Sequence, residues 1–230
     1  RTLNKMGEVE ILPEKKLLII HAVIIIYGDA ASEALSFQVA RNIENSWNEP
    51  GGKVLIPDGW FSKKMYDVRF SITGRYKTTL TPQQVFENTN PRNNYFRIED
   101  YAHGNISFVD GLHSNTGYFL FDNLLHNSTT AAHEFGHTLG LEHPHDLDIR
   151  GQGVPGMMYP RGTWVDPPYQ YYPEVAPGEK GGTLNPFTRR VLQKDIDDLQ
   201  LDKLRFNEKG FAILGEFTSA WHEKQLPPSN

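Results

Sequence analysis

Four of the nine histidines in this chain fall within the seventeen residues TAAHEFGHTLGLEHPHD, Thr130 to Asp146. His133 and His137 stand four residues apart, which on a helix puts both imidazoles on one side, where two nitrogens can reach one ion at about 2 Å each. Glu134 lies beside that side but too close along the helix to be an easy third ligand. Its natural task is to take a proton from water activated by the ion. Gly140 lets the backbone turn sharply, so His143 can swing back as the third nitrogen. Three neutral imidazoles leave one position of a zinc ion open to solvent, which is the catalytic and not the structural kind of site. Such an ion lowers the pKa of water and polarises a carbonyl oxygen while a carboxylate moves the proton, and the chemistry that needs all of this is attack by water on an amide. An isolated H-E-x-x-H arises by chance on surface helices; Gly140 and His143 at their offsets make coincidence a poor explanation here. His145 is read as a solvent-facing or supporting residue. His21, His103, His113, His126 and His222 default to packing or surface roles, and Glu142 to a solvated carboxylate.

The elements that must position these residues are legible in part. LLIIHAVIIIY, Leu17 to Tyr27, is too short to span a bilayer, and its β-branched content predicts a buried strand. SEALSFQVARNIENSWN then places Leu35, Val39, Ala40, Ile43 and Trp47 at helical steps, and EPGG stops that helix. Three strands are expected next: YDVRFSITGRY by its alternation of Val68, Phe70 and Ile72, then NISFVDG and GYFLFDN around a turn-rich connection. The histidine segment reads as a helix capped by Asn127 or Ser128, with Ala131, Ala132, Phe135 and Leu139 as its apolar face and Gly140 ending it. From Pro144 to Asn185 the composition turns to Pro, Gly and Tyr, the mark of an irregular stretch. Val191, Leu192, Ile196 and Leu199 then outline a second helical face. GFAILGEF reads as a strand or docked extension, and the LPPSN end as a fraying terminus.

The chain has 230 residues, a net charge of −5 and no cysteine. Its length allows one sizeable domain. Its charge, without a basic run, favours neither nucleic acid nor an anionic membrane surface. The lack of cysteine removes disulfides, thiolate nucleophiles and cysteine zinc sites, so any metal must be held by His, Asp, Glu or carbonyl oxygen. The chain starts at Arg1 without a methionine, as a processed or trimmed product would.

HEFGHTLGLEH resembles the extended zinc motif of the metzincin metallopeptidases, H-E-x-x-H-x-x-G-x-x-H, and GMMYPRG, Gly156 to Gly162, resembles the methionine turn of that clan. The MYP string is similar to the matrixin version and favours Met158 as the residue beneath the metal. With Met157 there instead, Tyr159 would fall where astacin-like and serralysin-like members place a metal-facing tyrosine. VLQKDIDDLQ, Val191 to Gln200, resembles the start of the C-terminal helix of matrix metalloproteinases. HGNISFVDG is similar to their loop for structural zinc and calcium. Asn105 replaces an aspartate zinc ligand there, while Asp110 is a candidate calcium ligand or a turn residue. Pro144 is more like serralysins, whose glycine–aspartate repeats are missing. Gly162 stands where matrixins have a pocket tyrosine, with Trp164 just beyond. The resemblance covers about Gly117 to Gln200.

The resemblance implies an α+β, metzincin-like zincin fold. It would have a twisted mixed sheet, an active-site helix above a zinc cleft, and an irregular lower subdomain ending in a C-terminal helix. The single catalytic domain, 1–230, would divide into an upper part, 1–143, and a lower part with an extension, 144–230. It implies a zinc endopeptidase with His133, His137 and His143 as ligands, Glu134 as general base and calcium as a candidate second ion. Substrate would lie along an edge strand, for which TGYFLF (Tyr118, Phe119, Leu120) is the candidate, with Tyr159 and Trp164 beside the specificity pocket. The expected setting is secreted or periplasmic. The expected partners are a protein or peptide substrate and a proteinaceous inhibitor, with no nucleic acid and no membrane span. Two rivals are a non-catalytic module that keeps the metal as a scaffold, which Glu134 argues against, and a peptidase toxin domain. Were His143 not a ligand, Glu174 or Glu179 would be considered as the third.

Overall fold

The computed structural model describes residues 5–216 and 218–228 and shows a mixed α/β chain built on a curled mixed sheet. The strands are β1 (Lys5–Leu12), β2 (Leu17–Tyr27), β3 (Lys53–Pro57), β4 (Lys63–Tyr76), β5 (Asn93–Glu99), β6 (Phe108–Val109), β7 (Thr116–Leu120) and β8 (Phe211–Glu216). The helices are α1 (Glu33–Asn48), α2 (Pro82–Phe86), α3 (Thr130–Thr138) and α4 (Gln193–Asp198). Along the sheet the order is β3-β4-β2-β5-β7-β6, with β1 pairing β2 and β8. β2 runs parallel to β4 and β5, and β5 parallel to β7; β3, β6, β1 and β8 join antiparallel. Among the described residues no helix is long and apolar enough to cross a membrane.

The apolar run of β2 is explained by burial on both faces. Ile20, Ile24 and Ile26 face the main core with α1 and α3, while Ile25 and Tyr27 pack with Val85, Tyr95 and Trp221 on the other side. α1 begins at Ser32, whose hydroxyl accepts from Leu35 N–H at 3.1 Å, and it buries Leu35, Val39, Ala40, Ile43 and Trp47 as its spacing predicts. The helix lies so close on β4 that a Cβ at Gly74 would stand 2.1 Å from the Ser36 carbonyl oxygen. Trp47 joins α1 to α3: its indole N–H donates to Ala132 O at 3.1 Å, and its ring meets Phe70 and Phe135 at 5.2 and 6.2 Å. The helix that carries His133 is thereby fixed to the sheet through a buried tryptophan.

Several expectations are corrected. β3 and β5 join the three strands expected after α1, and β1 precedes them. TGYFLF is not an edge strand. β7 is paired on both sides, because Gly117, whose Cβ would stand 2.4 Å from Phe108 O, lets β6 approach and take the outer position. Tyr118, Phe119 and Leu120 are consequently buried, Tyr118 with its hydroxyl donating to Tyr101 O at 2.8 Å. GFAILGEF forms a strand: after α4 the chain returns as β8 alongside β1. The helix expected from Val191 onward is also short, starting at Gln193. Phe217 and the last two residues of LPPSN lie outside the described residues. Residues 139–192 contain three isolated bridges and short 3-10 turns around a small core of Ile149, Val165 and Leu184, the irregular stretch that its composition suggests.

A methyl group at Gly74 must push α1 off β4. Gly74→Ala should therefore lower unfolding free energy by about 1–3 kcal/mol in a denaturant titration, whereas a loss below about 0.5 kcal/mol would contradict backbone contact there.

Candidate metal centre

The N-cap of α3 is Thr129, not Asn127 or Ser128, although the Ser128 hydroxyl does accept from Thr130 N–H at 3.1 Å. Its other end is a Schellman turn: Leu141 N–H donates to Gly136 O at 3.0 Å and Gly140 N–H to His137 O at 3.0 Å, with Gly140 at φ +94°. A Cβ on Gly140 would stand 2.1 Å from the His113 ring, so the turn has a steric reason for glycine as well as a torsional one. The turn reverses the chain and brings His143 back over the helix.

There the three imidazoles meet. His143 Nε2 lies 3.0 Å from His133 Nε2 and 3.1 Å from His137 Nε2. Nitrogens bound tetrahedrally at 2.0–2.1 Å to one ion stand about 3.3–3.4 Å apart, close to what is seen. The opposite nitrogens face backbone carbonyls: His133 Nδ1 is 2.8 Å from Met157 O and His137 Nδ1 is 2.7 Å from Leu141 O. With the proton on Nδ1 and donated to each carbonyl, both Nε2 lone pairs point at the common centre. A single proton on His143 Nε2 could satisfy only one of them, whereas one cation satisfies all three. The donor set therefore fits a divalent ion, and these three side chains form the group of metal-ligating residues found among those described.

Burial holds His133 well below the usual imidazole pKa, with the Arg189 guanidinium adding to the effect; it lowers His137 and, more exposed, His143 too. Glu134 is buried beside them. Desolvation pushes its carboxyl up to about 7, opposed by the positive charge of Arg189 and the backbone N–H of Val109. A carboxyl tuned near neutrality is suited to accept and release a proton. Beneath α3, Met158 is buried with its sulfur against the helix, and a Cβ on Gly136 would stand 2.3 Å from Sδ. Met157 contributes its backbone instead: its carbonyl faces His133, and its N–H donates to the buried Asp195 carboxylate at 3.3 Å.

Two residues that sequence reasoning missed hold this arrangement. Asp195 at the start of α4 accepts from Leu192 N–H at 2.8 Å as well as from Met157, tying the methionine loop to the last helix. Arg189 is 5% exposed. It donates from Nη1 to Tyr159 O at 3.1 Å and from Nε and Nη2 to the Thr129 hydroxyl at 3.1 and 2.9 Å. Its Nη1 also lies 2.9 Å from His133 Nδ1. One nitrogen cannot both donate to Met157 O and accept from Arg189. Donation to Met157 O is the state that frees Nε2 for a cation.

Of the cleft residues expected from sequence, Tyr159 and Trp164 do not line the cavity next to the triad. The cavity beside His133, Glu134 and His143 has a volume of about 230 Å³ and is walled by Asn105, Ile106, Ser107, Pro160 and Arg161. Tyr159 turns instead to the Ile149–Val165–Leu184 core, and Trp164 stacks under the Arg150 guanidinium at 4.9 Å. The Asp110 carboxylate lies 2.7 Å from His222 Nε2 and accepts from the Thr116 hydroxyl. His145, Glu142, Glu174 and Glu179 are exposed and outside the triad.

Removing His143 should weaken divalent-metal binding by about a hundredfold or more, measured by chelator competition; unchanged stoichiometry and affinity would exclude it as a ligand. Because folded imidazoles below their ordinary pKa resist protonation, metal affinity should drop less than about twofold between pH 7.5 and 6.5. Three ordinary imidazoles would lose about sixfold over that interval. A loss of the larger size would contradict the buried, neutral rings.

No protein-family model matches the chain, and no curated protein matches its sequence.

Proposed function

We propose that this chain is a zinc-dependent endopeptidase of the metzincin type, hydrolysing peptide bonds of protein substrates. The observation that carries the reading is the meeting of His133, His137 and His143 through Nε2, with the buried carboxyl of Glu134 next to them and open to the same cavity. Further support comes from the strand–helix order before α3, the glycine turn after His137, the packing of Met158 under the helix and the docking of α4 on the methionine loop.

His133, His137 and His143 would hold the ion, and the carbonyls of Met157 and Leu141 orient two of the rings. A zinc ion there supplies Lewis acidity toward water and toward the scissile carbonyl. Glu134 would accept a proton from the attacking water and later deliver it to the amine that leaves. β6 is the last strand on its side of the sheet, and Ile106 just before it is 60% exposed, so an extended peptide can add along this edge by main-chain hydrogen bonds. A site used only as a scaffold has no task for a buried carboxyl at this position, and its desolvation would be a cost without return.

Glu134→Gln keeps the size and the neighbours of the side chain but cannot take a proton. It should retain one zinc per chain by elemental analysis while hydrolysis of an unfolded protein falls by about a hundredfold or more. Turnover within about twofold of the parent would remove Glu134 as the base. Absence of chelator-sensitive cleavage in the parent chain would remove the hydrolase reading.

A further inference from the structure

The cavity next to Glu134 contains a charge that proton transfer does not use. Arg189 is almost wholly buried, yet its bonded partners are neutral: the Thr129 hydroxyl, the Tyr159 carbonyl and the edge of His133. None of the ion pairs among the described residues includes it. The Glu134 carboxyl acts on it through space and not through a hydrogen bond; a buried cation with no bonded carboxylate is costly and is retained where something completes its pairing. The guanidinium has five N–H groups: its bonds to Thr129 and Tyr159 use three, a fourth on Nη1 lies against His133, and one on Nη2 is left over.

The same cavity is lined by Arg161, which is exposed and so belongs to its mouth. Glu134 is the single acidic residue in the lining, and it faces two arginines. The space is therefore net cationic before any metal is counted. Asn105 and Ser107 add side chains able to donate hydrogen bonds to a carboxylate. At about 230 Å³ the cavity can accept one side chain of ordinary size.

We propose that this cavity is a specificity pocket for an acidic side chain of the substrate, with Arg189 as the buried receptor of the carboxylate and Arg161 as a second positive charge at the mouth. The proposal rests on the hydrolase reading above and narrows it to peptides carrying Asp or Glu next to the cleaved bond. A guanidinium with an N–H left over suits a carboxylate oxygen, and pairing the two charges inside a desolvated pocket discriminates against the uncharged amide.

The test has a cleavage arm and a binding arm. Digestion of a peptide library by the zinc-loaded chain, with cleavage sites mapped by mass spectrometry, should enrich Asp and Glu at one position adjoining the bond. Two peptides differing only as Glu or Gln at that position should differ by about tenfold or more in kcat/KM. Fluorescence polarisation with the zinc-loaded Glu134→Gln protein should rank the labelled pair the same way. Arg189→Gln should bring the Glu-to-Gln ratio near one, and Arg189→Lys should retain part of it. Arg161→Glu, at an exposed position that does not endanger folding, should reduce the ratio by about threefold or more. A guanidinium that served only to clamp Thr129 to Tyr159 would change overall rates and leave that ratio alone. Equal use of Glu and Gln, enrichment of apolar residues, or a ratio unchanged in folded Arg189→Gln protein would overturn the proposal. Tighter binding of the Glu peptide without any cleavage would uphold the pocket and remove the hydrolase reading. Cleavage without acidic preference would do the reverse.

Discussion

A histidine nitrogen can offer a lone pair to a cation only while the ring's proton is held on the other nitrogen. In this chain that condition is met by two backbone carbonyls, those of Met157 and Leu141, each within 2.8 Å of an Nδ1 atom. Much of the surrounding architecture serves to place those carbonyls. Leu141 is fixed by the glycine turn that ends α3, in which its own N–H reaches Gly136 O. Met157 is fixed from the opposite direction, by Asp195 on α4 and by the insertion of Met158 beneath the helix. Trp47 holds α3 itself to α1 and the sheet. Elements far apart in sequence thus converge on the protonation state of two rings.

The electrostatics of the site follow from its dryness. Burial keeps the imidazoles neutral, which is the form that binds metal, and it raises the Glu134 carboxyl toward the range in which a proton can be both taken and given. Arg189 moderates the second effect, since its positive charge pulls Glu134 down while burial pushes it up. One guanidinium thereby restrains a carboxyl, braces the methionine loop through Tyr159 O and leaves an N–H at a cavity it lines. The three roles are compatible because they use different edges of the same planar group.

How much of this was legible in the sequence depends on whether a feature is local. The helix of His133 and His137, its glycine stop and the return of His143 are set by residues within one short segment, and their spacing alone predicts the convergence that the structure shows. α1 and β2 were equally readable, because a buried face leaves a periodic trace. The edge strand was misread: β6 has two residues, too few for alternation, while the longer apolar β7 mimicked an exposed strand. Where Tyr159 and Trp164 face was not legible, because the irregular segment has no period that fixes the direction of its side chains. Arg189 and Arg190 are neighbours in sequence, one buried and one exposed, and nothing local distinguishes them; only the distant partners Thr129 and Tyr159 do so.

X-ray absorption at the zinc edge on the metal-loaded protein tests the central claim most directly. The account predicts one zinc per chain, with three imidazole nitrogens at about 2.0–2.1 Å and one further light-atom ligand from solvent. It also predicts that this last shell contribution changes when a small hydroxamate is added. Fewer than three imidazoles in the first shell, or a fourth position occupied by a protein carboxylate and unresponsive to the added ligand, would contradict it.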